Sequence, residues 1–435
     1  MSYWLTLSRS TTMQLRTPKL SSADRQGYPY YAGFSTSFVR SLLEGWRLPK
    51  SSIILDPWNG SGTTTSTAGA LGYSSIGLDL NPVAVVLARG RSLDRSAARS
   101  LVPLGHEIVE EASWLRADPY GDEEPLLAWF DPPTSRRIRR LEMTVRYLLV
   151  DRDQYLTWGS SDIVENLSSL ASFYLSALFL VVRRLMQPLI GSNPTWIQHR
   201  AKTEPISRAF SQLAVLVRDA VGELAEAVAC RESTRAKLDV QLGDSREILL
   251  PPGSVDAVVT SPPYCTRLDY VVATLPELAV LGCHPQAGAS TLRKRMLGTI
   301  LTGSTDLVES RTEWGRKCRR LLRHIARHPS KASSSYYSVF FTQYFAGLYE
   351  SLVQLRRVTR PGGRVAVVVQ DSHYKEIPVN LGEIVAEMGS ACGWTNHNLI
   401  SFDVPSPLVR INVRARRHLS TRTLAEHAVL FEDAK

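Results

Sequence analysis

The stretch Val258-Val259-Thr260-Ser261-Pro262-Pro263-Tyr264 decides how the chain reads. Residues 255–259 are mostly apolar, and a short apolar run that ends in turn residues predicts a buried strand. The run stops at a polar residue, two prolines and an aromatic. Proline has a fixed φ and no N–H, so the pair ends the strand and stiffens the turn. Ser261 and the Pro262 carbonyl are then acceptors held at a strand end, with the Tyr264 ring beside them. That group suits a flat ring bearing an amino group: the acceptors take the amino hydrogens and the tyrosine lies on the ring face.

Two earlier stretches repeat the pattern of a strand ending in polar residues. The mostly apolar residues 52–55, a short predicted strand, run into Asp56-Pro57-Trp58-Asn59-Gly60-Ser61-Gly62-Thr63-Thr64-Thr65. Gly60 and Gly62 let the backbone approach a ligand, and the threonines open a helix whose N–H groups face it. A dinucleotide loop needs a third glycine where Thr65 stands, and a phosphate loop needs a Lys-Ser/Thr pair that is absent. Asp56 has the wrong charge for a pyrophosphate and the right one for the ammonium of an amino acid. The next strand, 75–78, ends at Asp79, about twenty residues after the glycine loop, where a carboxylate can accept from both ribose hydroxyls. Asn81-Pro82 then opens a helix over 83–91. Much later, residues 238–242 predict another strand, followed by Gly243-Asp244-Ser245.

Thr-Ser-Pro-Pro-Tyr resembles the catalytic motif of the amino-group DNA methyltransferases, which methylate cytosine N4 or adenine N6. The serine form is most like the cytosine-N4 branch; Asp or Asn is usual in the adenine branch. Asp-Pro-x-x-Gly-Ser-Gly-Thr-Thr and Asp-x-Asn-Pro resemble the same family's cofactor segments. The resemblance covers residues 28–91, 238–282 and 337–434, roughly half the chain, and it implies an α/β fold of the S-adenosylmethionine-dependent methyltransferase type. That fold is a mostly parallel sheet with helices on both faces and the cofactor outside the carboxyl ends of the strands. It implies Ser261, Pro262, Pro263 and Tyr264 as catalytic residues. For S-adenosyl-L-methionine it implies Asp56, Pro57, Gly60, Ser61, Gly62, Thr63, Thr64, Asp79 and Asn81, with Asp244 at the adenine amino group. Tyr30, Phe34 and Thr36 occupy the place of the segment that closes over the methionine end, and Ser35 or Thr36 also suits a helix cap. The cofactor loop precedes the catalytic motif here, whereas many serine-motif relatives run the other way round.

Five segments follow from this reading: 1–93 as the cofactor-binding half, 94–237 as a helical insertion, 238–290 as the catalytic half, 291–336 as a basic segment and 337–435 as the C-terminal part of the methyltransferase domain. Within the insertion, Leu, Ile and Val recur at helical spacing over 98–115, 163–186 and 206–228. Asp131-Pro132-Pro133-Thr134 imitates the catalytic motif and follows an apolar run, 126–130, but no aromatic follows it. Arg136, Arg137, Arg139 and Arg140 come next and read as a solvated helix face. In the basic segment, arginines on several faces suit phosphate contacts, and Arg316, Lys317, Arg319, Arg320 and Arg323 are the expected DNA-binding residues. A long helix over 337–358, a Pro-Gly-Gly stop, an apolar strand over 364–370, a helix over 381–392 and two antiparallel strands complete the pattern.

The formal charge of +10 and a pI near 9.4 suit a polyanionic partner. The N-terminal cations have no apolar run behind them, and the most apolar run, 173–182, is about half the length of a membrane span, so neither a secretory leader nor a membrane partner is expected. Five scattered cysteines without a Cys-x-x-Cys argue against a metal and fit a reducing, cytoplasmic setting at the nucleoid. Cys265 lacks the preceding proline of the cytosine-C5 enzymes and reads as a bystander. The expected function is transfer of a methyl group to N4 of a flipped cytosine in double-stranded DNA, within a restriction-modification or defence system in which a cognate restriction endonuclease has a place. The alternatives are an adenine-N6 or RNA methyltransferase with the same pocket, and a nucleic-acid-binding subunit that keeps the fold without catalysis.

Overall fold

The computed structural model describes residues 28, 35–116, 121–150, 164, 166–191, 197, 204–232, 236–265, 268–299, 310–403 and 425–433. Tyr30 and Phe34 lie outside the described residues.

Among the described residues, seven strands form the main sheet: β1 (Ile53–Asp56), β2 (Ser74–Asp79), β3 (Leu238–Leu242), β4 (Val255–Thr260), β5 (Thr359–Gln370), β8 (Asn396–Asp403) and β9 (Ala425–Glu432). A small hairpin, β6 (Ser372–Tyr374) with β7 (Ile377–Val379), branches off after β5. The spatial order is β3-β2-β1-β4-β5-β9-β8. The first five neighbours are parallel, and β9 runs antiparallel to both β5 and β8. This is the mostly parallel α/β sheet that the sequence resemblance implies. Parallel strands flanked by helices are buried on both faces, and β4 has every residue buried.

The register places the polar strand ends together. Asp56 lies opposite Gly77, Asp79 opposite Leu242, and Thr260 opposite Val367. The carboxyl ends of β1 to β4 therefore open on one edge of the sheet. Helices α1 (Thr36–Trp46) and α2 (Thr63–Ala70) cover one face through Phe38, Leu42 and Ala68, which pack with Ala257 and Val259. The other face carries α11 (Gly315–Arg327), α12 (Ser338–Val358) and α13 (Leu381–Ala391), whose Leu322, Phe345 and Ile384 share a core with Leu55 and Val258. Between these, α3 (Pro82–Arg91), α4 (Ala98–Trp114), α5 (Pro132–Leu149), α6 (Ser169–Met186), α7 (Phe210–Ala229), α8 (Tyr270–Ala273), α9 (Leu275–Val280) and α10 (Ala287–Arg295) complete the chain order. The helices of the 94–237 stretch are not a separate body. They bury their apolar faces in one cluster with Val86 of α3 and Leu278 of α9.

Three expectations change. Arg139 is not on a solvated face: it is 1% exposed and its guanidinium bonds Glu124, Glu142 and the carbonyls of Ala279 and Val280. A guanidinium buried among acceptors is satisfied, and here it ties α5 to the end of α9. The basic helix α11 carries arginines on several faces yet is not wholly solvated, since Cys318, Leu321, Leu322 and Ile325 form a buried stripe. The stripe stands at helical spacing, interleaved with the cations. Finally, the apolar stretch at 173–182 extends into a helix that, over Ser169–Leu189, is long and apolar enough to cross a membrane by length and composition. Of its most apolar window 78% is buried inside the protein.

Candidate active site

The carboxyl edge of β1 to β4 opens into a cleft of about 690 Å³, its open mouth included. One wall is Pro57, Trp58, Gly60, Asp79 and Leu80, continued by Gly243, Asp244, Ser245 and Arg246. The other is Ser261, Pro262, Pro263 and Tyr264, with Tyr270, Arg295, Met296 and Leu297 closing the side. The glycine loop and the Ser-Pro-Pro-Tyr turn, about 200 residues apart in sequence, thus face one space because β1 and β4 are neighbours in the sheet.

The first wall is built from the loop after β1. Gly60 (φ 51°) and Gly62 (φ 87°) adopt left-handed backbone that other residues rarely take. A side chain at Gly62 would also stand 3.0 Å from Ala88 of α3. Asp79 accepts from the N–H groups of Gly60 (2.9 Å) and Asn81 (2.8 Å). Burial pushes its pKa up to about 6, with those two N–H groups pulling the other way. Asp79 is nonetheless on the cleft lining, and each carboxylate oxygen keeps a further acceptor site.

Asp56 lies beneath the cleft and not on its lining. It is 1% exposed, and its Oδ1 accepts from the Thr260 hydroxyl (2.6 Å) and the Trp58 N–H (3.1 Å). Burial pushes its pKa up to about 6. Its Oδ2 is buried with no hydrogen-bond partner among the described residues. Several neighbours of the loop also turn inward. Ser61 takes the Arg91 guanidinium (2.9 Å), Thr64 donates to the Val259 carbonyl (3.0 Å), and Asn81 caps α3 and donates to Thr274 (3.0 Å). Gly62 and Thr63 do not reach the lining, and Thr36 is an exposed first residue of α1. Ser35 stands at the cap position, but its hydroxyl bonds Ser37 and not a helix N–H. Thr65, where a dinucleotide loop has glycine, donates to Asn59 and braces the loop from inside (3.0 Å).

Asp244 lines the cleft with both oxygens engaged by Arg246, at 2.9 and 2.7 Å. Burial works to raise its pKa, yet the Arg246 bonds hold it below the usual carboxylate range. Sequence reading missed Arg246, which follows two residues after Asp244, and the i, i+2 carboxylate–guanidinium spacing was the available signal. It also missed Arg295, Met296 and Leu297, which no local pattern marks.

On the second wall the polar groups divide sharply. Ser261 and the Pro262 carbonyl have no hydrogen-bond partner among the described residues. The next three positions are all held: the Pro263 carbonyl accepts from Tyr344 (2.8 Å), Tyr264 donates to Glu426 (3.1 Å), and the Cys265 carbonyl accepts from Ser372 (3.2 Å). Cys265 itself is 3% exposed, and burial pushes its thiol well above the usual range. That favours an inert thiol over a nucleophile.

The cleft thus fits a methyl-donor nucleoside by the chemistry of its groups: a carboxylate at the end of β2 for hydroxyls, a second beyond β3, and glycine backbone between them. The five basic residues expected to bind DNA do not reach it. Arg316, Lys317, Arg319, Arg320 and Arg323 line a separate shallow concavity with Ser310 and Glu387, on the outer side of α11. Lys317 there is paired with Glu383 (2.8 Å). The imitation motif is elsewhere again. Asp131 caps α5 by accepting from the Thr134 N–H (2.8 Å), with Pro132 at the first helical position, and the run before it is a 3₁₀ turn and not a strand.

No protein-family model matches the chain. The chain is similar to the Type II methyltransferase M.BsoBI of Geobacillus stearothermophilus, 28% identical over 283 residues, covering 58% of this chain and 52% of that protein. It is also similar to the Type II methyltransferase M.AvaI of Nostoc sp. and of Anabaena variabilis, 20% identical over 267 residues, covering 59% of this chain and 53% of each. The matches span about half the length of these curated relatives. Among solved structures, the rRNA methyltransferase aviRa from Streptomyces viridochromogenes is 12% identical with a TM-score of 0.29, covering 93% of this chain and 87% of that one. A superposition that loose has no bearing on function.

Proposed function

We propose that this chain is an S-adenosylmethionine-dependent DNA methyltransferase that methylates the N4 amino group of a cytosine flipped out of duplex DNA. The observation that carries the reading is that Ser261 and Pro262, whose hydroxyl and carbonyl have no partner among the described residues, line the same cleft as Asp79 and Gly60. Its supports are the likeness to Type II methyltransferases and the strand order of the sheet.

The chain's own groups do three things in this reading. Asp79, Gly60 and Asp244 hold the cofactor, with Asp56 and the inward-facing Ser61, Thr64 and Asn81 shaping the loop. Bound S-adenosylmethionine supplies an activated methyl group. Ser261 and the Pro262 carbonyl accept the two hydrogens of the amino group, which localises the nitrogen lone pair that ring conjugation otherwise withdraws. Tyr264 holds the ring face, so the contribution of the protein is chiefly positioning. The Ser261 hydroxyl can also donate to the ring nitrogen beside the amino group, which cytosine and adenine share, so adenine-N6 methylation is the second reading. The phosphates are taken by Arg316, Lys317, Arg319, Arg320 and Arg323. The proposed setting is cytoplasmic, at the nucleoid, in a restriction-modification or defence system in which a cognate endonuclease has a place.

The test is mass spectrometry of nucleosides from duplex DNA incubated with the purified protein and methyl-labelled cofactor. N4-methylcytosine supports the reading. N6-methyladenine alone moves it to the second, and no label in any duplex or in RNA leaves a non-catalytic nucleic-acid-binding subunit.

A further inference from the structure

The catalytic turn is anchored from outside at three consecutive positions. Tyr344 of α12, 2% exposed, donates to the Pro263 carbonyl, and Ser372 of β6 donates to the Cys265 carbonyl. These two bonds fix the backbone on either side of Tyr264. What those backbone bonds do not set is the direction of the Tyr264 side chain, which has two torsions between backbone and ring. Its phenol donates to Glu426 Oε1 at 3.1 Å. Glu426 is 2% exposed and stands in β9 opposite Gln370 of β5, one strand beyond the β5 that pairs with β4. Its position is therefore set by the sheet and not by a loop. A carboxylate acceptor makes a stronger bond to a phenol than a neutral acceptor does.

We propose that Glu426 is the positioning residue for Tyr264: it holds the phenol at one end so that the ring face stays turned into the cleft where the target base stacks. This rests on the methyltransferase reading and adds a residue about 160 positions from the motif. A ring free to turn would still bind the base some of the time, but a small misplacement of the reacting atoms costs rate steeply.

The experiment is single-turnover methyl transfer on duplex DNA, with cofactor affinity by calorimetry and base flipping by 2-aminopurine fluorescence, for wild type, Glu426→Ala, Glu426→Gln, Tyr264→Phe and the double variant Tyr264→Phe/Glu426→Ala. Glu426→Ala is expected to lower the transfer rate about tenfold or more with cofactor affinity unchanged, and to reduce the fluorescence change of the flipped base. Glu426→Gln, which keeps an acceptor oxygen, recovers most of that loss. Because Glu426 acts through the phenol, the double variant loses no more than the worse single. If Glu426→Ala does not fold, Tyr264→Phe removes the same bond from the ring side and must show the same loss. Additive losses in the double variant, or a wild-type flipping signal in both single variants, would overturn the positioning role. A wild type that transfers no methyl to any duplex overturns instead the functional reading on which it rests.

Discussion

Two stretches of this chain carry a polar residue followed by two prolines, and they do opposite things. Asp131-Pro132-Pro133-Thr134 begins a helix, and Ser261-Pro262-Pro263-Tyr264 ends a strand. In the first, the carboxylate is satisfied two residues beyond the prolines' start, by the Thr134 N–H. In the second, Ser261 and Pro262 line the cleft, their hydroxyl and carbonyl without a partner among the described residues, while the next three positions are held. A polar residue before two prolines caps a helix or lines a cleft according to the element that precedes it. A polar group satisfied within its own turn is structural. One left open at the carboxyl edge of a parallel sheet is available to a ligand.

The comparison breaks first at Ser261. Ser261→Ala or Tyr264→Ala should lower methyl transfer on the order of a hundredfold or more, as loss of a preorganised polar group at a reacting centre does. Cofactor affinity by calorimetry should stay within about threefold of wild type, since neither side chain belongs to the wall that holds the cofactor. A parallel loss of cofactor affinity would merge the two walls.

The next largest effect lies on the first wall. Asp79→Ala should weaken S-adenosylmethionine binding about ten- to a hundredfold, the worth of hydrogen bonds to a charged group. The pH sign follows from burial. In the ligand-free protein the Asp79 pKa is raised to about 6. Its stabilising contribution is then fully present below the ordinary carboxylate pKa and lost as pH rises through about 6. A ligand that donates to the ionised carboxylate behaves in the opposite way, so cofactor affinity should increase from pH 5 to 7 in wild type, and part of that dependence should vanish in Asp79→Asn.

The basic helix gives a smaller, more diffuse effect. Neutralising Arg316, Arg319 and Arg320 should reduce the slope of log affinity against log salt by about 2 to 3, weakening all DNA sequences alike. An unchanged slope places α11 away from the duplex and leaves the phosphates to cations nearer the cleft. The smallest effect sharpens the contrast from the other side. Asp131→Ala should cost about 1 kcal/mol of stability by thermal unfolding, the usual worth of a helix cap, with methyl transfer unchanged.

Much of the fold was legible because strands here end in polar or turn residues. Asp56, Asp79 and Ser261 each close an apolar run, and each stands at the same edge of the sheet. The lining residues Gly60, Asp79, Asp244 and Ser261 to Tyr264 were legible for the same reason. Adjacency within a motif was a poorer guide to side-chain direction. Ser61, Thr64 and Asn81 belong to the motifs, yet their side chains hold the loop together. Least legible were groups that act across the fold. Tyr344 and Glu426 carry no local pattern, because a phenol or a carboxylate in a helix or strand reads as an ordinary side chain until the sheet brings its partner alongside. Arg139 is the same case in reverse, a cation in a run of cations whose acceptors come from Glu124 and the end of α9.

The central proposal is that the open acceptors at Ser261 and Pro262 serve methylation of an exocyclic amino group, proposed as cytosine N4, and base-resolved sequencing of DNA from cells expressing the chain tests it most directly. The account predicts N4-methylcytosine at a fixed sequence context in wild-type cells and none in cells carrying Ser261→Ala, with both proteins present at equal levels. Methylation that persists in Ser261→Ala, or that falls on another base, would contradict it.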